Sequence, residues 1–144
     1  MKIDGGCHCG DITYEAEIDP EKVVICHCTD CQTLSGSAFR TVALTLVDSF
    51  KLLSGTPTVY VKVGDSGAER QQAFCPRCGS PLYSTTNDEG PKIHGLRAGT
   101  IRQRDQLVPK LQVWAHSEQH WLEGLGAIPK IPKQAQLALK PGRD

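Results

Sequence analysis

The residues of this chain best suited to chemistry are its seven cysteines, which fall into three tight groups: Cys7 and Cys9, then Cys26, Cys28 and Cys31, then Cys75 and Cys78. An odd count at such short spacing suits metal thiolates better than disulfides, because residues two apart do not easily reach disulfide geometry with one another. Cys75-Pro76-Arg77-Cys78-Gly79 is a Cys-X-X-Cys knuckle. Gly79 there lets the backbone turn beneath a zinc ion and aim amide N–H groups at the sulfurs. A redox Cys-X-X-Cys needs a strand-to-helix context, and Pro81 argues against a helix at this point.

A structural zinc takes four protein ligands, so the knuckle must borrow two from elsewhere. Cys7-His8-Cys9 and Cys26-His27-Cys28 both offer a pair, but the second group brings Cys31 as a third sulfur and would overfill the site. Ligand counting therefore predicts a closed zinc site of Cys7, Cys9, Cys75 and Cys78, whose metal-binding energy counts toward folding. It leaves Cys26, Cys28 and Cys31 as an open site. Three protein ligands with a free fourth position is the usual arrangement of a catalytic zinc. One of His8, His27, His94, His116 or His120 could instead close the trio and make it structural. His27 is the poorest candidate, since it alternates with Cys26 and Cys28 and in extended chain points to the opposite face. A vacant or redox-sensing trio is a further alternative.

The elements that must position these ligands read as mainly β, with short antiparallel strands and little helix. Ile12, Tyr14, Ala16 and Ile18 share one face of a strand, Val42, Leu44 and Leu46 another, and Val59, Val61 and Val63 a third. Turn formers separate them, including Gly5-Gly6, Ser54-Gly55-Thr56-Pro57 and Gly64-Asp65-Ser66-Gly67. A helical turn or two is expected after Cys28, and another around Glu118 to Leu122. At 144 residues the chain fits one domain, placed at residues 1–124. From Leu125 a strap or tail containing Pro129, Pro132, Pro141, Lys130, Lys133 and Lys140 is expected to follow.

Lys plus Arg balance Asp plus Glu at 16 each, and no basic stripe with interleaved aromatics is present, so no nucleic-acid partner is expected. The N-terminal Met1-Lys2-Ile3-Asp4-Gly5-Gly6 lacks an apolar stretch, and no long apolar run occurs elsewhere. The expectation is a soluble cytoplasmic protein without a membrane partner.

Gly6-Cys7-His8-Cys9-Gly10, Cys26-His27-Cys28-Thr29-Asp30-Cys31-Gln32 with Ser35-Gly36-Ser37, and Phe74-Cys75-Pro76-Arg77-Cys78-Gly79-Ser80 stand in order along the chain, followed by Leu96-Arg97-Ala98-Gly99-Thr100. This series resembles the glutathione-dependent formaldehyde-activating enzymes, a group that includes centromere protein V. The resemblance implies a zinc-stabilised, tent-like β fold, a structural zinc on the outer four cysteines and a second, catalytic zinc on the middle three. It also implies a carbon–sulfur lyase-like activity, the addition of glutathione or a similar thiol to formaldehyde or a related small aldehyde. Where the family has a histidine after a proline, Pro109-Lys110-Leu111-Gln112-Val113-Trp114 places Gln112. Gln32, Ser35, Gly36 and Ser37 are candidates for contacting the thiol, with ordinary turn chemistry as their other role. Arg40, Arg70 and Arg97 could meet glutathione's carboxylates by bidentate pairing. The alternative function is a zinc-stabilised binding module whose middle cysteines catalyse nothing.

Overall fold

A computed structural model describes residues 1–134; Lys140, Pro141 and the rest of the expected tail beyond them lie outside the described residues. The described chain forms β1 (Lys2–Gly6), β2 (Thr13–Cys26), α1 (Thr29–Ser35), β3 (Arg40–Thr45), β4 (Lys51–Ser54), β5 (Thr58–Val63), β6 (Glu69–Phe74), β7 (Pro81–Thr86), β8 (Gly95–Arg97) and β9 (Leu111–Val113). Four short 3-10 segments follow β8, the last being His120–Ala127. The fold is therefore mainly β, as the alternating pattern predicts. The helical turn after Cys28 is α1, and the turn near Glu118 is the start of that last 3-10 segment, which runs across the expected domain boundary. Among the described residues, no helix is long and apolar enough to cross a membrane.

Hydrogen bonding runs in the order β1-β2-β3-β8-β7-β6-β5, with β4 and β9 added along β2. Pairing is antiparallel except for β9, which joins β2 in parallel. The long strand β2 organises this arrangement. Its first half pairs with β1 and β4, and its last four residues pair with β3, the last three of them also with β9. The register shift between Ile18 and Val23 falls at Pro20, whose missing N–H cannot join a ladder and which is tolerated at such an irregularity. Asp19 accepts a hydrogen bond from the Glu21 N–H at 2.9 Å and fixes the bend.

The predicted apolar face of β2 is the core face: Ile12, Tyr14, Ala16 and Ile18 are all buried. They pack with Ile3, Val23, Ala43, Leu82, Leu96 and Ile101, and the same cluster includes Cys7 and Cys75. Two other faces differ from the sequence reading. On β3 the core side is carried by Ala43 and Thr45, while Leu46 lies past the strand end and is exposed. On β5 the valines Val59, Val61 and Val63 are 41%, 42% and 63% exposed. Alternation identified the strand correctly, but β5 ends the strand order among the described residues, so its valines have a neighbouring strand on one side only.

Glycine is required at Gly5. It pairs with Tyr14 across β1 and β2, and the Tyr14 hydroxyl is 2.7 Å from Thr100 Oγ1. A methyl group on Gly5 would strike the Thr100 carbonyl and the Tyr14 phenol. Gly5→Ala should therefore lower unfolding stability by about 1–3 kcal/mol, the usual cost of overpacking, measured by denaturant titration of the metal-loaded protein. Val61→Thr on the exposed edge should change it by less than about 0.5 kcal/mol.

Candidate functional site

The outer cysteines come together from two knuckles. Cys7 follows β1 directly, and Cys75 follows β6 directly. Each knuckle turns on a glycine with positive φ, Gly10 at 86° and Gly79 at 77°. All four sulfurs lie within 4.8 Å of one another, with Cys7 Sγ 3.6 Å from Cys9 Sγ and Cys9 Sγ 3.7 Å from Cys75 Sγ. Backbone N–H groups aim at the sulfurs, from Ile12 to Cys7 at 3.3 Å and from Arg77 to Cys75 at 3.4 Å. The two knuckles are also joined directly, His8 N–H donating to Ser80 Oγ at 3.0 Å. The Ser80 hydroxyl, helped by the Ser80 and Cys9 backbone N–H groups, holds the Cys78 thiol down at about 5. Four converging sulfurs with N–H groups directed at them fit a tetrahedral zinc.

The middle cysteines converge because β2 ends where α1 begins. Cys26 is the last residue of β2, and Cys28 caps α1, accepting the Cys31 N–H at 3.2 Å. The three sulfurs lie within 4.8 Å of one another, and among the described residues no His, Asp or Glu side chain joins them. His27 is buried on the other side of the strand end, with Nε2 2.6 Å from Gln112 Oε1. Gln112 thus engages His27 from the position where the resemblance leads to the expectation of a histidine. His94 belongs to an aromatic cluster instead, stacked on Phe50 at 4.4 Å and meeting the edge of Tyr83. Burial, with the Lys92 charge, lowers its pKa to about 4. Burial and the neighbouring Cys28 and Cys26 sulfurs push the Cys31 thiol up to about 12. Ionising all three sulfurs at once therefore calls for a cation between them, which fits a metal site.

Strand register carries the surroundings of this trio. Cys26 stands opposite Arg40 on β3, and Val42 stands opposite Arg97 on β8. Because residues two apart share a face, Arg40, Arg97 and Cys26 lie on one side of the sheet. The same side continues through Gln72, which pairs with Ser84 on β7 and Tyr60 on β5, and through Arg70, which pairs with Lys62. The three arginines singled out in the sequence therefore share the face of the trio. Arg40 and Arg97 are buried, and Arg70 donates to Ser84 Oγ at 3.2 Å. Burial, then the charge of Arg40, brings the Arg97 pKa down to about 9.

Beside Cys28 a cavity of about 520 Å³ is lined by Asp30, Lys62, Asp65, Trp114, His116 and Ser117, among others. Lys62 and Asp30 form a 2.7 Å ion pair at its side. The candidate thiol-contacting residues differ in their surroundings. The Gln32 amide is fully engaged inside the protein, donating to the His27 and Ser117 carbonyls at 2.8 and 3.0 Å and accepting from Gln119 Nε2 at 2.9 Å. Ser35 Oγ donates to the Gln32 carbonyl at 3.4 Å. Gly36 ends α1 with φ 62°, and it lines a shallow opening with Ser37, Ala38 and Trp121.

A family profile described as glutathione-dependent formaldehyde-activating enzyme matches residues 2–117. The chain belongs to this formaldehyde-activating family. An uncharacterized lyase of Schizosaccharomyces pombe is 34% identical over 91 residues, covering 62% of this chain and 63% of its own length. The chain thus matches somewhat under two thirds of that relative. A crystal structure of a Rhodobacter sphaeroides protein shares the fold, with TM-score 0.58 and 17% identity over 76% of this chain and 99% of that one.

Lys62, Gln72 and Tyr60 were not singled out in the sequence. The signal was present in the alternation of β5, whose valines point away from the trio and whose Tyr60 and Lys62 therefore face it. In this member of the formaldehyde-activating family, metal analysis should find two zinc ions per chain. Cys28→Ser should lower this to one while the fold is retained, and Cys75→Ser should leave the protein unfolded by circular dichroism. One zinc in both the parent and Cys28→Ser would contradict a metal site at the trio.

Proposed function

We propose that the chain is a zinc-dependent enzyme of the carbon–sulfur lyase type that adds a thiol, glutathione or a similar one, to formaldehyde or a related small aldehyde. Residues 1–124 would form the catalytic domain, with Cys7, Cys9, Cys75 and Cys78 holding a structural zinc and Cys26, Cys28 and Cys31 holding a catalytic one. The observation that carries this reading is the convergence of three sulfurs, joined by no fourth protein ligand among the described residues, beside an open cavity. A zinc ion held by Cys26, Cys28 and Cys31 would supply a fourth position and lower the pKa of an incoming thiol. The chain's own residues then favour the anion: Arg40 stands across from Cys26, and its positive charge acts on all three sulfurs. In the addition the thiol sulfur forms a bond to the carbonyl carbon, the C=O π pair moves to oxygen, and that oxygen takes up the proton the thiol released. His116 lines the same cavity and is the imidazole available to carry this proton. Gly36 and Ser37, at the end of α1, would approach the backbone of a peptide-like thiol, while Gln32 and Ser35 would shape the loop that presents them.

A second reading, a zinc-stabilised binding module without catalysis, is favoured by the exposed row of Val59, Tyr60, Val61 and Val63 on edge strand β5. Kinetics separate the two. Glutathione and formaldehyde combine without an enzyme, so the quantity to measure is the rate of approach to the hydroxymethyl-thioether equilibrium above that background. Acceleration in proportion to protein concentration, lost in Cys28→Ser, is expected for the enzyme. No acceleration with several thiols and aldehydes would favour the module.

A further inference from the structure

On the face of the sheet that carries Cys26, a second cavity of about 320 Å³ is lined by Arg40, Arg97, Gln72, Tyr60, Leu34 and Phe74, among others. Both arginines are at least nine-tenths buried, Arg40 at 5% and Arg97 at 9% exposure. Buried guanidinium groups ordinarily sit against a carboxylate, because an unpaired charge out of water is costly. Here neither forms an ion pair with Asp or Glu among the described residues. The surface ion pairs involve Lys62, Arg77, Lys92, Arg102 and Lys110 instead. Arg97 donates only to neutral oxygens, Gln72 Oε1 at 2.6 Å and the Gly95 carbonyl at 3.3 Å, and its Nε is buried without a partner. The two cations also stand diagonally across β3 and β8, two residues out of direct register, a separation at which long side chains still interact. An anion between them would relieve their repulsion. No acidic residue lines the cavity, whose remaining wall is apolar through Leu34, Phe74 and Pro81.

We propose that this cavity is a carboxylate-binding pocket, and that the thiol this chain prefers carries a carboxylate on a short aliphatic stem that reaches Arg40 and Arg97. The proposal rests on the thiol-addition reading of Cys26, Cys28 and Cys31. Cys26 stands opposite Arg40, so a thiol held at the trio can extend its acidic end along the same face into the pocket. Arg40 and Arg97 could instead serve only to balance the charge of the thiolates. That role would help every thiol alike, whereas a pocket discriminates among them.

The test uses the full, metal-loaded chain and starts with wild-type protein, which avoids any effect of a buried substitution on folding. S-methylglutathione, which has no free thiol, is titrated by calorimetry beside the same compound with both carboxylates converted to amides. The carboxylate form should bind about tenfold or more tightly, as expected for charge-assisted contacts. Equal binding of the two forms, or binding of neither, would overturn the pocket. Because this readout needs no turnover, it can succeed when the aldehyde assay fails, and the converse. In Arg97→Gln and Arg97→Lys, KM for glutathione should rise about 10–100-fold with KM for the neutral thiol 2-mercaptoethanol unchanged. Equal losses for both thiols would assign the arginines to charge balance and reject the proposal.

Discussion

Seven thiolates cannot be gathered into two small volumes unless their charge is neutralised where they meet, and the rest of the structure is arranged around that demand. The outer four close on one another across a separation of 66 positions from Cys9 to Cys75. This joins the β1–β2 hairpin to the β6–β7 hairpin at the rim of the core, and Cys7 and Cys75 are themselves core residues. A metal ion held there would cross-link that span and remove much of the freedom of the unfolded chain. The middle three are treated differently. They are presented at the junction of a strand and a seven-residue helix, with cations rather than further ligands beside them.

Strand β2 makes the two arrangements one structure. It starts beyond the first knuckle, bends at Pro20 and delivers Cys26 into register with Arg40. From there the ladder through β3, β8, β7, β6 and β5 sets Arg97, Gln72 and Lys62 on the face of the trio, while Ala43, Leu96 and Ala73 turn to the other side and are buried. One side of the sheet is thus structural, and the other gathers positive charge around sulfur. Gln112 serves the same division by hydrogen-bonding His27.

Both cysteine groups were legible from spacing because ligand sets of this kind are built from local motifs, and counting sulfurs needed no knowledge of the fold. The core face of β2 was legible for a similar reason: Ile12, Tyr14, Ala16 and Ile18 carry a period of two that any half-buried strand must show. Val59, Val61 and Val63 carry the same period yet remain exposed, because what covers a strand depends on its place in the sheet order. Gln32 was singled out for its closeness to Cys31, whereas two of its three amide partners are residues 85 and 87 positions away, Ser117 and Gln119. Arg40 and Arg97 were visible as residues, but their meeting depends on the β2–β3 and β3–β8 registers, which no local pattern encodes.

The central claim is that one sulfur cluster is complete and the other has room for one more ligand. X-ray absorption at the zinc edge of the fully loaded protein tests it directly. Two zinc ions sharing the chain's seven cysteine sulfurs should give an average of about 3.5 sulfurs per ion at about 2.3 Å, with one lighter ligand completing the second ion. Addition of glutathione should raise the average to about four. An average that does not change when thiol is added, or a histidine signal at the second ion, would mean that the trio is closed and would contradict the account.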